Sequence, residues 1–109
     1  MLESLFGSKS RERVLVFLYC RREGYAREIA RFYRTDLDPV QKQLSRLEYG
    51  GIIAGRKAGR TRLYQLNPRY VFSVELGALL KKSLEFLDKP ERDILAPART
   101  RPRREGKPL

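Results

Sequence analysis

Histidine is absent from this 109-residue chain, and cysteine occurs once, as Cys20. Those two scarcities close off a good deal of chemistry. Without imidazole there is no Ser-His or Cys-His pair, and one thiol can complete neither a zinc site nor an internal disulfide. No metal and no cofactor is expected. The acids Glu3, Glu12, Glu23, Glu28, Asp36, Asp38, Glu48, Glu75, Glu85 and Asp88 form no convincing pair in a foreseeable cleft, so no catalytic residue and no enzyme is expected either. Long apolar runs are missing too: none approaches the ~20 residues that span a bilayer. The N-terminal MLESLFGSKSRER lacks the apolar core of a signal peptide, and a lone thiol suits a reducing cytoplasm. The glycines at 50, 51, 55 and 59 lack the Gly-Lys-Ser/Thr ending and following helix of a phosphate loop. No internal repeat is visible.

Carboxylates are scarce relative to cations. Thirteen acids face 24 lysines and arginines, a net charge of +11. That surplus is larger than solubility asks for and implies a polyanionic partner, nucleic acid before a membrane surface.

What is present centres on Asp36 to Asn67. Val40, Leu44 and Leu47 recur at i, i+4 and i+7, one apolar stripe of a helix. At ~100° per residue the opposite face carries Gln41, Lys42, Ser45, Arg46 and Tyr49, with no carboxylate at its centre. Gly50-Gly51 follows, then two short strands around Ala58-Gly59 that bear Arg56, Lys57, Arg60 and Arg62. A polar helix face beside a basic hairpin suits a duplex, base edges for the helix and phosphates for the hairpin. The expected fold is mainly α with a small β-hairpin: a winged helix-turn-helix with a C-terminal dimerisation helix.

Before that centre, Leu2, Leu5 and Phe6 repeat at helical spacing until Gly7-Ser8, and Ser8 or Ser10 can cap a helix over residues 10–22. Its apolar positions, Val14, Leu15, Phe17, Leu18 and Cys20, spread widely enough for burial. Cys20 reads as a small core hydrophobe. A redox switch would need a depressed pKa, and its cationic neighbours Arg21 and Arg22 are expected to point to solvent. Gly24 is available as a left-handed C-cap, and Tyr25 can form a strand of one or two residues. A second helix over 26–34 turns Ile29, Ala30, Phe32 and Tyr33 inward, leaving Arg27, Arg31 and Arg34 for backbone phosphates or solvent. The third helix has two possible starts. Asp38 can cap with Pro39 at the first helical position, which commits Gln41 to a capping box. Alternatively Asp36 caps and Gln41 stays free for a base.

After the third helix, Ile52 and Ile53 begin one strand and Thr61 to Leu66 return antiparallel, with a short tip at Lys57-Ala58-Gly59-Arg60. Asn67-Pro68 admits a last helix over 70–87. Its apolar residues, Phe72, Leu76, Leu79, Leu80 and Leu87 widened by Val71, Val74, Leu84 and Phe86, exceed what a small core needs. A dimer interface is expected from Leu2, Leu5, Phe6, Leu76, Leu79, Leu80 and Leu87. The chain divides into a domain over 1–88 and a Pro/Arg-rich basic tail over 89–109. That tail is either an arm along phosphates or a minor groove, or simply a tail. Ile94 and Leu95 are the residues able to pin its first part to the domain.

LFGSKSRERVLVFLY, YAREIARFY, the spacing of Val40, Leu44 and Leu47, and RLEYGGIIAGRKAGRTRLYQLNP together resemble the winged helix-turn-helix of ArsR/MarR-like regulators. They resemble in particular the small domains found alone or preceding minimal nucleotidyltransferases. The likeness covers residue 5 to about 88. It implies a dimeric, repressor-type transcriptional regulator of double-stranded DNA, with Gln41, Lys42, Ser45 and Arg46 on the recognition helix and Arg56, Lys57, Arg60 and Arg62 on the wing. Three departures stand out. The turn position usually given to glycine is Arg34, followed by Thr35. No Cys-x-Cys lies near the third helix, so arsenic or zinc sensing is not implied. Residues 89–109 carry no nucleotidyltransferase. A different class of function fits the same composition, an adaptor working with a partner protein or enzyme, or a binder of RNA and single strands through Tyr25, Tyr33, Tyr49, Tyr64 and Tyr70.

Overall fold

A computed structural model describes residues 1–87 together with Pro90, Ile94 and Leu95. Most of the tail expected over 89–109 therefore lies outside the described residues.

Over residues 1–87 the elements run in the order α1 (Glu3–Phe6), α2 (Lys9–Arg21), β1 (Glu23–Tyr25), α3 (Ala26–Tyr33), α4 (Leu37–Tyr49), β2 (Ile53–Ala58), β3 (Thr61–Leu66) and α5 (Ser73–Leu84). The strands form one antiparallel sheet in the order β1-β3-β2. Helix α2 is the central post. Ser8 begins it by accepting the Arg11 N–H at 3.2 Å, and Val14, Leu15, Phe17 and Leu18 are buried around its circumference. Ile29 of α3, Val40 and Leu44 of α4, Ile53 of β2 and Leu80 of α5 complete the core with it. Cys20 is buried, as a small core hydrophobe should be.

Residues 22–25 depart from the expected helix end. The residue with positive φ is Arg22, at φ 76° and ψ −39°, and not Gly24. Gly24 instead lies in β1, paired across from Tyr64, in a strand of three residues where one or two were expected. A Cβ on Gly24 would come 2.7 Å from Cε1 of Phe17. Only a bare Cα lets the strand lie this close over the ring, which is the reason for glycine at this point.

Arg21 differs as well. Its guanidinium carbon lies 5.3 Å from the Phe17 ring centroid and 5.4 Å from that of Phe32, and its Nε and Nη2 donate to the carbonyls of Leu95 and Ile94, each at 2.9 Å. It is a packed cation against aromatic faces, not a solvated one. Leu95 is buried in the core, so the chain beyond α5 does return to α2 at this point.

Helix α5 is shorter than residues 70–87. Tyr70 and Phe72 precede it in a turn, where the N–H of Ser73 donates to the Tyr70 carbonyl at 2.9 Å. Leu80 is fully buried within the single chain, so it is a core residue and not part of an outward interface.

Candidate nucleic-acid interface

The turn between α3 and α4 decides how α4 is presented. Arg34 occupies the left-handed conformation, φ 54° and ψ 48°, where glycine is usual, and the Thr35 N–H reaches back to the Ala30 carbonyl at 3.0 Å. A non-glycine residue here costs about 1–2 kcal/mol. Asp36, with extended backbone at ψ 152°, is then the N-cap, and Leu37 is the first helical residue. The choice between the two possible starts is thereby made. Asp38 and Pro39 fall in the first turn, and Gln41 is exposed, its side chain making no hydrogen bond to any described residue.

Helix α4 is sharply two-sided. Val40, Leu44 and Leu47 are buried at 1%, 0% and 3% exposure, whereas Gln41, Lys42, Ser45 and Arg46 are all exposed and Tyr49 is 95% exposed. Among the described residues, Lys42 and Arg46 have no ion pair. Asp38 is also exposed and shares this face by its i, i+3, i+4 relation to Gln41 and Lys42, so the face opens on a carboxylate at the helix N-terminus and is cationic beyond it. A carboxylate in a first turn is favoured by the helix dipole.

One polar residue faces inward. Gln43 is only 7% exposed, and its Oε1 accepts from Arg11 Nε at 2.8 Å while Arg11 Nη1 donates to the Phe6 carbonyl at 3.0 Å. Arg11 thus ties α4 to α2 and to the end of α1. The clue in the sequence is that Gln43 lies between Val40 and Leu47 at helical spacing, which directs it into the protein and obliges it to find a partner.

At the far end of α4, Gly50 and Gly51 reverse the chain, with Gly51 at φ 78°. The Asn67 side chain donates to the Gly51 carbonyl at 2.9 Å, fixing the base of the hairpin against the helix end. Strands β2 and β3 pair from Ile53↔Leu66 to Ala58↔Thr61, leaving Gly59-Arg60 as a two-residue tip with Gly59 at φ 67°.

The four wing cations are not equivalent. Lys57 and Arg60 are exposed without an ion pair among the described residues. Arg56 approaches Glu23 of β1 at 3.5 Å in an exposed pair that water screens. Arg62 is committed elsewhere: its Nε and Nη2 donate to the two carboxylate oxygens of Glu48, at 3.2 and 2.5 Å, and Nη2 also reaches the Gly55 carbonyl at 3.1 Å. Hydrogen bonding to Glu48 raises the Arg62 pKa further above its already high usual value. Partial burial, helped by the nearby Glu48 charge, lifts the Tyr64 phenol. Arg27, the remaining candidate contact, is exposed on α3.

A two-sided helix held behind a three-helix core, followed by a β-hairpin that flanks its exposed face, defines the winged helix-turn-helix class of protein. Comparison with solved structures places the chain in the same fold as MarR-type regulators. The YusO protein from Bacillus subtilis superposes at a TM-score of 0.58 with 24% identity, over 84% of this chain and 72% of that one. The zinc-responsive MarR family member ZitR of Lactococcus lactis gives 0.52 with 15% identity, over 81% and 68%. The adhesin competence repressor AdcR of Streptococcus pyogenes gives 0.55 with 14% identity, over 86% and 79%. Neither a protein-family model nor a curated protein sequence matches the chain. Among the described residues no helix is long and apolar enough to cross a membrane, and no three His, Cys, Asp or Glu side chains are grouped to hold a metal ion.

Proposed function

We propose that this protein is a sequence-specific regulator of transcription, of repressor type, that binds double-stranded DNA with α4 in the major groove and the β2–β3 wing on the flanking backbone. The observation that carries the reading is the exposed face of α4. Gln41, Lys42, Ser45 and Arg46 are uncovered and unpaired, while the buried stripe of Val40, Leu44 and Leu47 holds their backbone rigid. Amide and guanidinium groups at this spacing match adenine and guanine edges: Gln41 to adenine, Lys42 and Arg46 to guanine or phosphate, Ser45 as a flexible contact. Arg27, Arg56, Lys57 and Arg60 supply phosphate contacts that position without specifying.

The protein acts as a homodimer. Leu5, Val71, Phe72 and Val74 are 66%, 79%, 58% and 78% exposed, and a groove of about 440 Å³ runs between Leu5 and Phe6 on one side and Tyr70, Phe72, Leu76 and Leu79 on the other. A second copy covering this face would present two α4 helices to half-sites roughly one helical turn, ~34–36 Å, apart. The regulated DNA is intracellular, and the protein with it.

Selection from a random duplex pool with the purified protein tests the reading. A two-fold symmetric motif is the expected product. Equal retention of duplex, single-stranded DNA and RNA of one sequence in a salt titration would replace base reading with general polyanion binding, the outcome that favours an adaptor or single-strand role.

A further inference from the structure

The wing is joined to the recognition helix at one place by charge. Glu48 lies in the last turn of α4, and Arg62 is in the second residue of β3. Their side chains meet edge to edge, two N–H groups on two carboxylate oxygens, and the same guanidinium reaches across to the Gly55 carbonyl of β2. Three elements therefore converge on one planar group. The room for it is created by an absence: a Cβ on Gly55 would come 2.8 Å from Arg62 Nε, 3.0 Å from Glu48 Oε2 and 3.1 Å from the Tyr64 ring. A fork geometry of this kind fixes direction as well as distance, which a lysine could not do.

We infer that Arg62 and Glu48 form a clamp that sets the wing's position relative to α4, making Arg62 a positioning residue for DNA recognition and not one of the wing's phosphate contacts. This rests on the DNA-binding reading above, and it divides the wing's cations by role. Lys57 and Arg60 face the backbone, and Arg62, paired across from Lys57 one step from the tip, determines where that tip falls once α4 is seated in the groove.

The two assignments of Arg62 differ in the sign of one experiment. Glu48→Gln raises the net charge by one and releases Arg62. If Arg62 were a phosphate contact held back by Glu48, that change would tighten binding and steepen the salt dependence by ~1. If the pair is a clamp, Glu48→Gln weakens binding to the selected duplex, by roughly two- to fivefold for a partly exposed pair. Binding to random duplex then changes much less. Arg62→Gln weakens cognate binding to the same extent with little change in salt slope, and the double variant is no worse than either single one. Arg60→Ala, measured beside them, lowers the slope by ~1 on every sequence. Tighter binding by Glu48→Gln, or additive losses in the double variant, overturns the clamp.

A second measurement separates failure of the clamp from failure of the DNA reading. In the free protein, amide hydrogen exchange across β2 and β3 should speed up equally in both Gln variants while α2 stays protected. Unchanged exchange in the wing overturns the clamp even if DNA binds. Faster exchange in a protein that enriches no duplex motif keeps the clamp and removes the DNA reading.

Discussion

Helices α4 and α5 are nearly the same length, 13 and 12 residues, and each lays one side on the core. What they leave uncovered is opposite in chemistry. The outer side of α4 is amide, hydroxyl and cation, whereas the approach to α5 and its first turn expose Val71, Phe72 and Val74. The difference is in the partner each uncovered side can accept: hydrated charge has to be met by charge or by base edges, and exposed hydrocarbon by more hydrocarbon. In the proposed dimer, formed through α5, the exposed side of α4 is left for DNA.

Several substitutions break that contrast or sharpen it. The largest effect belongs to the inner side of α4. Leu44→Ala should cost about 2–5 kcal/mol of folding stability, read by chemical denaturation, because a fully buried side chain leaves a cavity behind. Next comes the apolar surface of α5. Phe72→Asp combined with Val74→Asp should weaken self-association by about 2 kcal/mol or more in sedimentation equilibrium, with thermal stability of the protomer unchanged. Should the double variant stay dimeric, the second copy sits elsewhere. On the outer side of α4, Arg46→Ala should lower affinity for the selected motif by about 1–3 kcal/mol and relax preference at one base pair, with folding stability altered by less than about 0.5 kcal/mol. Equal loss on random duplex would reduce Arg46 to a phosphate contact. Smallest is Arg60→Ala, a loss of about one unit of salt slope on all sequences with no change in preference.

Much of this arrangement is legible in the chain itself, because periodicity reports which side of a helix is buried. The stripe of Val40, Leu44 and Leu47 specifies α4 and, by subtraction, its exposed side. Asn67-Pro68 and Gly59 mark the limits of the hairpin. Strand β1 is legible only at Tyr25, for a physical reason: Glu23-Gly24-Tyr25 has no alternation to read, and its pairing to β3 is a contact across some forty residues of sequence. The pairings of Arg21 and Arg62 are hidden in the same way. An arginine in a basic sequence looks solvated until the ring or carboxylate that meets it is placed by the fold. Glu48 and Arg62 are 14 residues apart, beyond any local spacing rule. The start of α4 is a closer case. Two caps of similar merit stand two residues apart, and the position of Arg34 in the preceding turn decides between them.

That turn also leaves the molecule with room to improve. Arg34 is held at positive φ where glycine would be relaxed. Exchange for glycine trades the strain of a side chain in the left-handed region against the greater freedom glycine has when unfolded, for a net gain of about 0.5–1 kcal/mol. The protein therefore sits one codon's change away from a sturdier version of itself, and a lineage that made that change could tolerate a mildly damaging replacement elsewhere, for instance while α4 acquires a new base preference.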